Sequence, residues 1–541
     1  MNVLLVYPNL YGMNMLPPAI GILNSCLRAA GYRTDIFDTT VYERWHHLDS
    51  DKLKEERLNA RPYDDSILRE HAVYTSPTED FRRKVAEFSP DLLAFSVTED
   101  MYPNALELLR TLDPRDRPPV VLGGVFPTFA PELAVRKSHG LVDYVLTGEG
   151  EQTLTALCDA LDGKHGDLEA IPGIGYVRPD GSFYKNPLPP LNDPNFIPLP
   201  DYSFFEESRF YRPMQGQMWR MFPVETIRGC PYTCAYCNSP SQNAIYAAGK
   251  VRYIRKTNVE KIKEQLDYLI REYQPDSFYF WADTFLAVSD KEFEEFCDMY
   301  SDYKLPFWIQ TRPETVTRRK FERLKEVGIL RVAFGVEHGN PGFREKVLMR
   351  KVENDLIVNN LNLLREIGVP FSVNNIMGFP RETRELAFDT IELNRRIKSD
   401  GMNAYSFTPF HGTPLRTMAE MLGYVRHGEI ARSIMKPTML RMPQWSKQEI
   451  EALRRCFVLY VKLPKSRWPE VKQAEQLTPE GDRIWEQLRE ETLEHHMQWG
   501  DRAHEDDAGR IDLGEDDYGI DDATEKTILG TVDERLRGSA G

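Results

Sequence analysis

The sequence predicts an α/β protein with an N-terminal doubly wound parallel sheet, a central partial (β/α)6 barrel and a helical C-terminal region. Short, continuous apolar runs alternate with amphipathic stretches in residues 1–160, and the alternation resumes over 223–415. Apolar strands of this kind are buried on both faces, which calls for a parallel sheet covered by helices on each side. A third observation separates the parts: residues 162–205 are rich in Pro, Gly, Asp and Asn. A chain of 541 residues is long enough for about three domains.

In the first part the expected strands are 3–7, 34–37, 92–96, 120–122 and 144–146. A helix over 17–30 follows the first strand and is stopped by Gly31. The fourth strand runs into Gly123-Gly124 and the fifth towards Gly148-Glu149-Gly150-Glu151. Such sheets bind ligands at the carboxyl ends of their strands, and glycines there allow close approach to the backbone. The charged, weakly periodic stretch 44–80 reads as an insertion. Residues 161–222 read as a linker holding one small hairpin at Pro179-Asp180-Gly181, stiffened by Pro187-Leu188-Pro189-Pro190.

In the second part six strands are expected, at 224–227, 277–281, 307–310, 331–336, 371–377 and 404–408. Six strand–helix units make a partial barrel, since a closed one has about eight. Residues 416–500 read as a helical domain over the barrel mouth, and Trp445, Tyr460 and Trp468 line its pocket or fill its core. Residues 501–541 are acidic and nearly free of aromatics, the composition of a disordered tail.

The net charge of −15 disfavours phosphate backbones, so no nucleic acid partner is expected. No run approaches the ~18 apolar residues of a transmembrane helix. The N-terminus lacks a basic n-region and a small-residue cleavage site, so a cytoplasmic protein is expected. Seven cysteines, an odd number in a chain of this type, argue against a disulfide framework.

Three of them cluster in Arg228-Gly229-Cys230-Pro231-Tyr232-Thr233-Cys234-Ala235-Tyr236-Cys237-Asn238, directly after an expected strand. Thiolates select zinc, copper or iron–sulfur clusters. A structural zinc takes four protein ligands, and no fourth Cys or His lies nearby in sequence. On a four-iron cluster three cysteines leave one iron open to a small molecule. Cys230, Cys234 and Cys237 are therefore the expected metal ligands. The other four cysteines read as small buried hydrophobes.

The Cys-x3-Cys-x2-Cys spacing, with Tyr236 before its last cysteine, resembles the signature of the radical S-adenosylmethionine (SAM) superfamily. The resemblance implies a 4Fe–4S cluster and SAM chelated to its open iron. Reductive cleavage of the sulfonium would then yield a 5′-deoxyadenosyl radical. Further segments fall at matching places: Asp283 after the second strand, Arg312 after the third, Glu337 after the fourth and Gly378 after the fifth. With Tyr236 they are the residues the resemblance implies for SAM. The competing readings are a helix cap for Asp283, an ion pair for Arg312 and a tight turn for Gly378. His338 points into the pocket or is a satisfied structural histidine. Thr408-Pro409-Phe410-His411-Gly412-Thr413-Pro414 resembles the sixth strand end.

Tyr7-Pro8-Asn9, Pro17-Pro18-Ala19-Ile20-Gly21, Pro90-Asp91-Leu92, Gly123-Gly124 and Gly148-Glu149-Gly150-Glu151 resemble the Rossmann-like cobalamin-binding domains fused in front of such barrels. The two resemblances together span residues 1–415. The resemblance implies cobalamin against Asn9, Ser96, Thr98, Gly123, Gly124, Val125, Gly148 and Glu149. The Asp-x-His-x-x-Gly loop of many cobalamin domains is absent, so a scaffold domain is the alternative. Glu149 and Glu151 would then cap the following helix.

The implied activity is a cobalamin-dependent radical SAM methyltransferase acting on an unactivated carbon. Its partners would be a small-molecule or biosynthetic-intermediate substrate and a reducing electron donor. The alternatives are cyclisation, rearrangement or carbon–carbon coupling without methyl transfer, and a non-catalytic iron–sulfur scaffold or sensor. The sequence assigns no catalytic side chain.

Overall fold

The structure is a computed structural model that describes residues 1–46, 50–164 and 166–495. The expected acidic tail, 501–541, lies outside the described residues.

The first sheet is built from β1 (Asn2–Tyr7), β2 (Arg33–Asp38), β3 (Leu92–Ser96), β4 (Val120–Gly123), β5 (Tyr144–Leu146), β6 (Ile174–Val177) and β7 (Phe183–Lys185). Their order is β2-β1-β3-β4-β5-β6-β7, parallel through β5 and antiparallel beyond. Val3, Leu4, Leu5 and Val6 are all buried, because successive side chains enter opposite cores. Val3 and Leu5 share their core with Tyr202, Phe222 and Val224, so one face of this sheet packs directly towards the second. The direction of strand ordering reverses between β1 and β3. Ligands bind at such a switch point in open α/β sheets.

The second sheet contains β8 (Tyr211–Met214), β9 (Gln217–Glu225), β12 (Ser277–Trp281), β13 (Phe307–Thr311), β14 (Ile329–Glu337), β15 (Phe371–Met377) and β16 (Gly401–Ser406). Six of them run parallel in the order β16-β15-β14-β13-β12-β9, a curled half-barrel, and β8 adds an antiparallel edge. Between β9 and β12, β10 (Ile227–Arg228) pairs with β11 (Arg255–Lys256) in a separate antiparallel ladder.

Several sequence expectations are corrected here. Residues 161–222 are not merely a linker. Their hairpin, β6–β7, completes the first sheet, and β8 with half of β9 belongs to the second. The turn between β8 and β9 is Gln215-Gly216, both at positive φ (55° and 78°). It has the twist of a two-residue hairpin without the usual Asn-Gly signal. Within 44–80 lie two short helices, Ser50–Glu56 and Ser66–Glu70. The regular helix Pro77–Phe88 also begins there, capped by Ser76. The C-terminal region is helical at Pro414–Met421, Lys447–Lys462, Trp468–Ala474 and Pro479–His495, but 422–446 is irregular.

Candidate functional site

The cysteine loop leaves β10 through Gly229, whose φ is 90° and where a Cβ would stand 2.8 Å from the Tyr253 ring. Backbone bonds pin the loop on two sides: Ala235 N donates to Leu348 O, and Leu415 N donates to Ala235 O. Asn243 Nδ2 holds Cys230 O at 2.6 Å. Cys237 then caps the helix Asn238–Ala247.

Each sulfur has its own neighbour. Cys230 Sγ lies 3.5 Å from Thr284 Oγ1. Cys234 Sγ accepts from Arg312 Nη1 at 3.4 Å. Cys237 Sγ accepts from Ser239 N at 3.5 Å. Burial pushes the Cys230 thiol up and the Cys237 thiol up to about 12, and a metal bound there would supply the positive charge that thiolates need. Among the described residues no three His, Cys, Asp or Glu side chains converge on the position of one ion. A cubane takes each thiolate on a different iron, so its ligands stand further apart than those of a single ion. The donor set, three sulfurs with separate hydrogen-bond partners on one pinned loop, fits such a cluster.

A cavity of about 940 Å3 lies between the two sheets. Cys237, Tyr236, Asp283 and Glu337 line it from the half-barrel. Ser96, Thr98, Gly123, Gly124, Val125, Gly148 and Glu149 line it from the first sheet. Cys230 and Cys234 belong to the same loop but do not line it.

Asp283 is exposed to the cavity with one hydrogen-bond partner, the Ser239 hydroxyl, and the desolvation it meets there raises its pKa. A carboxylate facing a cavity without a cation suits an ammonium group, such as that of SAM. Glu337 ends β14 in the left-handed region, φ 70°, where β14 and β15 slip register. Its Oε1 meets Arg350 Nη1 at 3.2 Å. Arg350 also donates to Gly335 O at 2.6 Å. Burial raises the pKa of Glu337 and, more strongly, that of the Tyr236 phenol beside Arg350.

On the opposite wall the glycines divide by cause. Gly124 (φ 109°) would place a Cβ 2.5 Å from Val97 O, and Gly148 (φ 83°) one 2.6 Å from Tyr246 Oη. Their own chain demands glycine at both. Gly123 meets only Phe95 O at 3.9 Å, so its bareness serves the cavity alone. Val125 is 38% exposed on the same wall, an apolar surface suited to a large flat cofactor such as cobalamin.

Other expected residues stand elsewhere. Asn9 is buried away from the cavity, and its Nδ2 donates to Met13 O and to Thr40 Oγ1, both at 3.0 Å, tying two loops together. Arg312 does not line the cavity; Glu314, Tyr232 and Cys234 surround its guanidinium. Gly378 sits in a tight turn where its N–H and that of Phe379 donate to Glu382 Oε2 at 2.6 and 2.8 Å. His338 is fully buried between Asn340 N and Glu382, a structural histidine. Trp445 and Tyr460 are core residues, and Trp468 packs on Tyr460.

Glu149 is not a helix cap by its side chain. It joins an ionic network across the domains: Arg255 Nη2 at 2.5 Å, and Arg228 Nη1 at 3.2 Å. Arg228 also holds Glu151 at 2.7 Å and Glu225 at 2.8 Å. A second bridge escaped sequence reasoning. Buried Glu99, after β3, accepts from His411 N and Ala431 N, and its Oε1 meets His411 Nδ1 at 2.6 Å. Only the partner 312 residues away makes Glu99 visible as a bridge.

Residues 224–393 match the Radical SAM superfamily, and residues 65–158 match the B12 binding domain. An uncharacterized methyltransferase of Pyrococcus horikoshii, PH0819, is 25% identical over 389 residues, 71% of this chain and 82% of that protein. The anaerobic magnesium-protoporphyrin IX monomethyl ester cyclase of Rubrivivax gelatinosus is 26% identical over 419 residues, 74% of this chain and 72% of that protein. In fold the chain resembles the cobalamin-dependent S-adenosylmethionine radical enzyme OxsB, solved with aqua-cobalamin bound. Its TM-score is 0.62 at 16% identity, covering 99% of this chain and 80% of that one. Among the described residues no helix is long and apolar enough to cross a membrane. The chain thus carries a radical SAM domain and a B12 binding domain, and it is an enzyme whose cofactors are a 4Fe–4S cluster, SAM and cobalamin.

Proposed function

We propose that this enzyme methylates an unactivated carbon of a small-molecule substrate or biosynthetic intermediate. The observation that carries the reading is the shared cavity, which brings Cys237, Asp283 and Glu337 to line the same volume as Gly123 and Val125. A methyl carrier and a radical source must reach the same carbon, and a common cavity replaces diffusion by orientation.

When bound, the cluster and SAM supply one-electron cleavage of a sulfonium, and cobalamin supplies a methyl carrier. Cys230, Cys234 and Cys237 would hold the cluster. Asp283 would take the SAM ammonium, Glu337 would accept a hydrogen bond from a ribose hydroxyl, and Tyr236 would line that site. Ser96, Thr98, Gly123, Gly124, Val125 and Gly148 would form the cobalamin wall. A one-electron donor must reduce the cluster. The free cysteines suit the reducing cytoplasm.

The cyclase of R. gelatinosus, similar over nearly three quarters of this chain, supports a second reading: radical ring formation without methyl transfer. Anaerobic protein, reconstituted with iron, sulfide and hydroxocobalamin, separates the two. It is desalted, assayed for iron and cobalt, then given SAM and a strong reductant. S-adenosylhomocysteine formed together with 5′-deoxyadenosine, and only when cobalt is retained, supports methyl transfer. 5′-Deoxyadenosine alone favours the second reading. In the same assay Asp283→Asn is expected to weaken SAM binding about tenfold while the iron content holds.

A further inference from the structure

We propose that Arg312 is the electrostatic tuner of the cluster, a fixed cation that hydrogen-bonds one ligand thiolate and raises the reduction potential. The inference rests on the cluster, not on the outcome of the reaction.

The three sulfurs differ in what faces them. Cys230 has a neutral hydroxyl and Cys237 a neutral backbone N–H, whereas Cys234 has a guanidinium at 3.4 Å. Arg312 cannot turn away from it. Its Nε and Nη2 both lie on Glu314 Oε1, at 2.7 and 2.5 Å. Its flat face lies 3.6 Å from the centre of the Tyr232 ring. Carboxylate fork and aromatic face together fix the plane of the group, leaving Nη1 for the sulfur. Arg312 is 8% exposed, so solvent screens its charge weakly. It is absent from the cavity wall, where a ligand of the SAM carboxylate would have to stand.

Reduction adds one electron from an external one-electron donor to the cluster and its thiolates; no bond forms or breaks. The reduced state carries one more negative charge, so a nearby cation stabilises it more than the oxidised state. Hydrogen bonds to sulfur and net local charge are the protein's levers on such potentials. Glu314 partly offsets the cation while orienting it. The two side chains should therefore move the potential in opposite directions, a signature that general loosening of the loop does not produce.

The test uses the full chain, reconstituted anaerobically and checked for iron. The reduced cluster's electron paramagnetic resonance signal is titrated against potential without SAM, and SAM affinity is measured separately. Arg312→Gln is expected to shift the midpoint negative and Glu314→Gln to shift it positive, with SAM affinity nearly unchanged in both. Arg312→Lys, which keeps the charge without the fork, should fall between wild type and Arg312→Gln. Midpoints that stay put while Arg312→Gln weakens SAM binding about tenfold would return Arg312 to the SAM carboxylate. Shifts of the same sign in both would make the pair merely structural. Where Arg312→Gln fails to keep iron, Glu314→Gln and Arg312→Lys decide by the same signs. A wild type that takes up zinc in place of iron removes the cluster itself, an outcome distinct from either.

Discussion

A Cβ at Gly335 would stand 2.2 Å from Glu337 Oε1, and no positive φ requires glycine there. The missing side chain is space for the carboxylate, which Arg350 then holds. Gly335→Ala should displace Glu337 and weaken SAM binding by about tenfold, near 1.4 kcal/mol, with iron retained. Equilibrium binding on reconstituted protein checks this, and an unchanged affinity would remove Glu337 from the SAM site. Glu337 itself was legible from the order of segments along the chain. Its left-handed backbone and the register slip beside it were not, because both arise from pairing with β15. Arg312 was legible as an arginine for a SAM carboxylate or for an ion pair, and the structure shows the ion pair, with Glu314, and adds Cys234 as a neighbour. Whether a guanidinium faces a cavity or a sulfur depends on what fixes its plane, here Tyr232 and Glu314.

Among the elements, most parallel strands of both sheets were readable because they are short, mainly apolar runs such as 3–7, Leu92–Ser96 and Ser277–Trp281. The edges were not. β8 carries Arg212 and Pro213, so it lacks the apolar signature of its neighbours, and its hairpin turn is Gln215-Gly216. Gly216→Ala should cost about 1 kcal/mol in chemical denaturation, since φ of 78° disfavours a side chain there. A cost near zero would mean that the β8–β9 turn relaxes without loss. The irregular stretch 422–446 was misread as helical because its buried apolar residues, such as Val425, Met439 and Leu440, imply a core without implying a helix. It supplies Ala431 N to Glu99, a contact that a helix would have used internally.

For the whole molecule, the site exists only while the two sheets stay docked. Five charged groups hold that seam: Glu149, Glu151 and Glu225 around Arg228 and Arg255. Burial pushes Glu149 upward, but Arg255 and Arg228 outweigh it and hold its pKa below the ordinary carboxylate range. Burial pushes Glu225 upward, and Arg228 only partly offsets that rise. A depressed folded pKa means that Glu149 contributes stability above the ordinary carboxylate pKa, and that this is lost as pH falls through the lower folded value. Glu149→Gln should therefore lower the thermal midpoint at neutral pH by an amount equivalent to a few kcal/mol, with the deficit shrinking in acid. Scanning calorimetry of both proteins across pH checks the sign, and a deficit that grows in acid would exclude the latch.

Local pattern was enough to find the two sheets, three cysteines on one loop and acids at the strand ends. These are local properties: apolar runs long enough to be strands, thiols close enough in sequence to share a cluster, and single residues at predictable places. Which of them share the cavity follows from the packing of the two sheets. That packing leaves Asn9, Arg312 and Gly378 off the cavity wall, gives Glu149 to Arg255 and Arg228, and joins Glu99 to His411 across the seam. Those assignments depend on the direction of a side chain and on partners hundreds of residues away, and neither is written in local pattern or spacing.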